Sequence, residues 1–168
     1  MGKTLMIGSC ESFSGKSALV LGIARYLRAI NIAVRYGKPL ATSLEMDGIA
    51  NVNSDLLIDD DVRFVGSIIG LNEEALIPSV DILASDTAEK RLYDSFLQPG
   101  GNFQKLKDKL ADSFSGLNIL EAAGSINEGM IYGLSLSQLA NEFKVKVLLV
   151  HLWKDSRSVD PLLSLIHI

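Results

Sequence analysis

The stretch that most constrains this chain lies at its start. Thr4–Gly8 is a short apolar run, Ser9–Cys10–Glu11–Ser12–Phe13–Ser14 is polar, and Gly15–Lys16–Ser17 opens a segment with Leu19, Ile23, Leu27 and Ile30 at helical spacing. Strand, loop and helix in that order form a strand-to-helix junction of a parallel sheet. Backbone N–H groups of such a loop, with the positive end of the helix, make a cradle for phosphate oxygens. The lysine then reaches the β/γ-phosphates, and the hydroxyl that follows it can ligate Mg²⁺. Gly8, Ser9, Glu11, Ser14, Gly15, Lys16, Ser17 and Ala18 are the expected nucleotide contacts. The strict spacing G-x-x-x-x-G-K-[ST] would put its first glycine at position 10, where this chain has Cys10, so with Gly8 as the first glycine the loop is longer than standard. The plainer alternative is an ordinary strand-to-helix turn capped by Ser14 or Ser12.

The bulk numbers narrow the function classes. At 168 residues, 48% of them hydrophobic and 21% charged, the chain fits one globular domain spanning 1–168 with a core of its own. A net charge of −4 without a Lys/Arg cluster leaves no electrostatic footprint for nucleic acid. One cysteine excludes an internal disulfide and any multi-cysteine metal site, which suits a reducing cytoplasm. No apolar run approaches the roughly 20 residues that span a bilayer, and the N-terminal segment lacks a secretory pattern. The expectation is a soluble, cytoplasmic protein.

Further along, Ile32–Tyr36 reads as a second strand ending in Gly37–Lys38–Pro39. Asp59–Asp60–Asp61 precede Val62, Val65, Ile68 and Ile69, a helix with acids at its positive end. Pro99–Gly100–Gly101 break the chain before Phe103, Leu106, Leu110 and Phe114, a second helical stripe. Leu117–Glu121 is a strand, Ala122–Gly124 a tight loop, Ser135–Phe143 a helix and Val145–Leu152 the most hydrophobic strand; Asp160 begins another helix. Strands alternating with helices predict an α/β fold, a parallel sheet covered on both faces. The apolar run Leu162–Ile168 after a central-looking strand suggests a sheet cut short, as in the N-terminal part of a longer protein.

Four segments, taken in order, resemble the dethiobiotin synthetase family. They are the loop Gly8–Ser17, the segment Gly37–Lys38–Pro39–Leu40–Ala41–Thr42, the loop Glu121–Ala122–Ala123–Gly124–Ser125, and Leu134–Phe143 with Val145–Leu152. The wording around Gly8–Ser17, Tyr36–Leu40 and Asp61–Val65 is most similar to the dethiobiotin-synthetase-like N-terminal domain of some phosphotransacetylases. The resemblance implies a three-layer P-loop fold, ATP and Mg²⁺ as cofactors, and a regulatory nucleotide-binding module that answers to a small-molecule effector or substrate and forms homodimers. Two alternatives stand beside it: an ATP-dependent ligase of the dethiobiotin or cobyrinic acid a,c-diamide synthase class, and a non-catalytic dimerisation scaffold.

The family also implies roles. Lys16 and Lys38 would be the catalytic cations, because a loose, anionic phosphoryl-transfer transition state is stabilised chiefly by positioned positive charge. Ser17, Asp61 and Glu121 would hold the metal, with Asp55 as the alternative to Asp61. Ala122 and Ser125 stand where the enzymes carry glycine, and the family's base-reading region has no counterpart in these 168 residues. His151 and His167, with no acid near them in sequence, read as packed or exposed histidines. Trp153 and Tyr132 read as packing residues. Cys10 reads as a passive loop cysteine, or as an oxidation sensor if its pKa is lowered.

Overall fold

The computed structural model describes residues 3–43, 57–93, 100–111 and 113–165. In chain order it holds β1 (Lys3–Ser9), α1 (Lys16–Ala29), β2 (Val34–Gly37), β3 (Leu40–Ala41), α2 (Asp60–Ile69), β4 (Leu76–Ile77) and β5 (Asp81–Ile82). Then come α3 (Ser85–Tyr93), α4 (Gly100–Lys109), β6 (Leu117–Glu121), α5 (Leu136–Phe143), β7 (Lys146–Val150) and α6 (Asp160–Leu165). Five strands form one parallel sheet in the order β4-β2-β6-β1-β7, while β3 and β5 make a separate two-stranded pair. This is the expected α/β fold.

Strand order dictates the layers. From β1 the chain crosses through α1 over β6 to reach β2; from β6 it crosses through α5 over β1 to reach β7. Parallel crossovers are right-handed as a rule, so two that leave in opposite directions put their helices on opposite faces. The cores agree. Ile7, Tyr36 and Ile119 pack with Val20 and Ala24 of α1 and Val62 and Val65 of α2. Met6 and Leu120, one residue along in each strand, pack with Leu106 of α4 and with Leu136 and Leu139 of α5. Each such side chain, fully buried, contributes about 1.5–3 kcal/mol. The two crossovers diverge between β1 and β6, so the loops leaving their carboxyl ends open a crevice there, the usual ligand position in open α/β sheets.

Several expectations need correction. The centre of the buried face of α1 is Lys16, Val20 and Ala24; Leu19, Ile23 and Leu27 flank it, and Ile30, past the last turn, is 48% exposed. β2 begins at Val34 because Asn31, with φ 60, first turns the chain through the left-handed region. Ile68 points outward on α2. Phe114 lies beyond α4, its ring 4.5 Å from the Arg35 guanidinium carbon. The largest difference concerns β7. Although most apolar in composition, it is an edge strand paired only with β1 among the described residues, and Val147, Leu148 and Leu149 are exposed. α6 starts at Asp160 as expected, and residues 166–168 lie outside the described residues. No helix among the described residues is long and apolar enough to cross a membrane.

Candidate functional site

The loop between β1 and α1 closes over the carboxyl ends of β1 and β6. Gly15 sits at the helix N-cap with φ 94, a left-handed conformation that glycine adopts at little cost. No side chain caps α1, which removes the plainer reading of Ser14 or Ser12 as capping residues. Ser14 is buried, and its Oγ has no hydrogen-bond partner among the described residues. Lys16, also buried, turns its Nζ to Ser9 Oγ (2.9 Å) and to the Gly124 carbonyl (3.0 Å), which ties the loop to the segment after β6. Burial holds the Lys16 pKa below the ordinary lysine value; Glu121 opposes that shift and Lys38 adds to it.

Glu121 ends β6 beside Ile7 of β1. It is almost wholly buried, and its two oxygens have separate partners: Oε1 accepts from Ser17 Oγ at 3.1 Å and Oε2 from the Tyr36 hydroxyl at 2.6 Å. Burial raises its pKa, while the Tyr36 hydrogen bond, Lys38, Ser17 and Lys16 pull the other way. The Tyr36 phenol is pushed far upward, by burial first and by Glu121 next, so it keeps its proton and donates.

Lys38 follows β2 and is pinned. Its Nζ lies 2.5 Å from Asp61 Oδ2 and 3.2 Å from Asp59 Oδ1. Burial works against its charge, but Asp61, Asp59 and Glu121 outweigh it and leave the pKa raised. Asp59 organises this corner. Fully buried, it accepts from the Thr42 N–H (2.7 Å), the Ser43 N–H (3.2 Å) and the Asp61 N–H (2.9 Å), the last as the N-cap of α2.

A cavity of about 460 Å³ joins these groups. Ser14, Lys16, Ser17, Lys38, Asp61 and Glu121 all line it, and Glu128 reaches it while accepting from the Gly124 N–H. Gly15 and Ala18 line it as well; Gly8, Ser9 and Glu11 do not. Gly8 lies beneath Leu136, which a side chain there would overlap. Ser9 holds Lys16 from below. Glu11 faces β7 instead, accepting from the Leu152 N–H at 3.1 Å with His151 Nδ1 3.4 Å away, so His151 has the acidic neighbour that the sequence did not suggest. Burial and Glu11 push the Cys10 thiol upward, opposite to what an oxidation sensor requires. Asp55 and His167 lie outside the described residues. Tyr132 is buried and holds Thr87 and Ala84, a packing role; Trp153 is 67% exposed.

The donors that line the cavity fit Mg²⁺. Ser17, Glu121 and Asp61 offer hard oxygen atoms, and Mg²⁺ is ordinarily held by one or two carboxylates together with phosphate oxygens and water. Among the described residues no group of three His, Cys, Asp or Glu side chains is placed to hold a metal. Charge points the same way. Asp61, Glu121 and Glu128 outnumber Lys16 and Lys38 on the cavity wall, so a polyphosphate would enter with a compensating cation.

No protein-family model matches the sequence. Among solved structures, the signal recognition particle receptor FtsY from Elizabethkingia anophelis is similar at 15% identity and a TM-score of 0.49, covering 98% of this chain and 45% of that one. The same receptor in complex with GDP is similar at 16% identity and a TM-score of 0.47, covering 89% of this chain and 40% of that one. The chain thus spans less than half the length of either structure.

Proposed function

We propose that this chain is a Mg²⁺-dependent nucleotide-binding module whose phosphate site is the loop Ser9–Ala18. The observation that carries this reading is that Lys16 and Ser14, whose buried hydroxyl has no partner among the described residues, line one cavity at an N-terminus of α1 that no described side chain caps. A buried hydroxyl without a partner is costly, and a phosphate oxygen relieves that cost. Lys16 would leave the Gly124 carbonyl for the β/γ-phosphates. Ser17, Glu121 and Asp61 would hold the metal, which would neutralise phosphate charge.

ATP is the proposed nucleotide, from the dethiobiotin-synthetase resemblance. A regulatory role is favoured over carbamate or amide ligation because Lys38 is already paired with the buried Asp59, which is not one of the proposed metal ligands. A ligase would need that lysine's charge on the transferring group. The test is a thermal-shift series with ATP, ADP and GTP, with and without Mg²⁺. Ligand at about 100 times its dissociation constant stabilises by roughly 2.7 kcal/mol, or about 5–10 °C for a chain of this size. A shift with ATP that Mg²⁺ enlarges is expected. No shift with any nucleotide would overturn the reading, and multiple turnovers with a carbamate or carboxylate acceptor would favour the ligase.

A further inference from the structure

We propose that Tyr36 is a positioning residue for the metal-directed carboxylate Glu121, fixing the plane of the group so that one oxygen is held on the phenol and the other faces Ser17 and the cation. The inference rests on the nucleotide reading above. Tyr36 is 0% exposed, its ring lies in the core packed beneath α1 and α2, and its hydroxyl meets Glu121 Oε2 at 2.6 Å. Glu121 pairs with Ile7 in the sheet register and Tyr36 with Ile119, so the two residues stand on adjacent strands, β6 and β2, and on the same face. Their side chains meet across that face, while the other carboxylate oxygen reaches Ser17 Oγ on α1.

The division of labour follows from this geometry. The last torsion of a glutamate side chain is broad and weakly fixed on its own, so a hydrogen-bond donor is what sets the plane of the carboxylate. With the phenol on Oε2, the Oε1 side is directed toward Ser17, the residue proposed to share the metal. Outer partners of this kind orient ligating groups, and their loss ordinarily weakens metal affinity by about 10–100-fold. Tyr36 itself does not line the cavity, so it does not touch nucleotide, and nucleotide affinity without metal does not depend on it.

The experiment is a Mg²⁺ titration of ATP binding by wild type and Tyr36→Phe, read by calorimetry, with ATP affinity in EDTA measured alongside. The expected result is a rise of about tenfold or more in the Mg²⁺ concentration for half-maximal binding, an unchanged affinity in EDTA, and partial rescue by Tyr36→His, which restores a donor. An unchanged Mg²⁺ requirement, an equal loss with and without Mg²⁺, or a Tyr36→Phe chain that does not fold would each overturn the assignment and leave Tyr36 a structural residue. If wild type binds no nucleotide, the parent reading fails and this one with it. Wild-type binding with an indifferent Tyr36→Phe refutes this one alone.

Discussion

Glu121 shows how one residue can be unfavourable for folding and still line the proposed binding cavity. Burial raises its pKa above the ordinary 4.5, so over the range from that value upward the unfolded chain gives up the proton before the folded one does. The folded state then holds more protons, and stability falls as pH rises through that window. Glu121→Gln removes this contribution. Urea midpoints measured from pH 4.5 to 7.5 should therefore show the variant gaining on wild type as pH rises, while Mg²⁺-dependent nucleotide binding is lost. Parallel pH profiles would contradict the assignment of Glu121 as a desolvated carboxylate. The place of Glu121 was legible in the sequence because a lone carboxylate closing the strand Leu117–Leu120 is conspicuous. Its partner Tyr36 was not, since the two are separated by 85 positions and only sheet order brings them together.

At the scale of elements, the start of α2 carries more than its local pattern indicates. Three consecutive aspartates read as acids stabilising a helix N-terminus, and Asp59 is indeed its N-cap. The fold adds a second task, because Asp59 also clamps Lys38 and the Thr42–Ser43 backbone. Asp59→Ala should lower stability by about 3 kcal/mol or more, the cost of removing one partner from a buried ion pair, together with a cap worth about 0.5–2 kcal/mol. Urea unfolding measures it, and a loss below about 1 kcal/mol would show the clamp to be dispensable. Long elements with strong periodicity were readable: α1, α2, α5 and β6 stand close to their expected positions. The two-residue strands β3, β4 and β5 carry no period to detect, and α3 is too polar to announce a buried face. Phe114 mimicked a helical position by spacing alone, whereas α4 ends at Lys109.

Across the whole molecule, the sheet order β4-β2-β6-β1-β7 concentrates chemistry in one crevice. The loop 10–15 leaves β1, Glu121 ends β6, and Lys38 follows β2, three neighbouring strands ending at one edge. The apolar character of β7 was plain from composition, but its place at the sheet edge was not, because strand order is a property of the assembled chain. The cavity at that crevice brings Lys16, Ser14 and the N-terminus of α1 together with the carboxylates of Asp61, Glu121 and Glu128. The most direct measurement is a calorimetric titration of ATP with Mg²⁺ into wild type and into Lys16→Ala. The account predicts one saturable site per chain in wild type and none detectable in the variant. Equal binding by both would place any nucleotide site elsewhere and contradict the phosphate-loop reading.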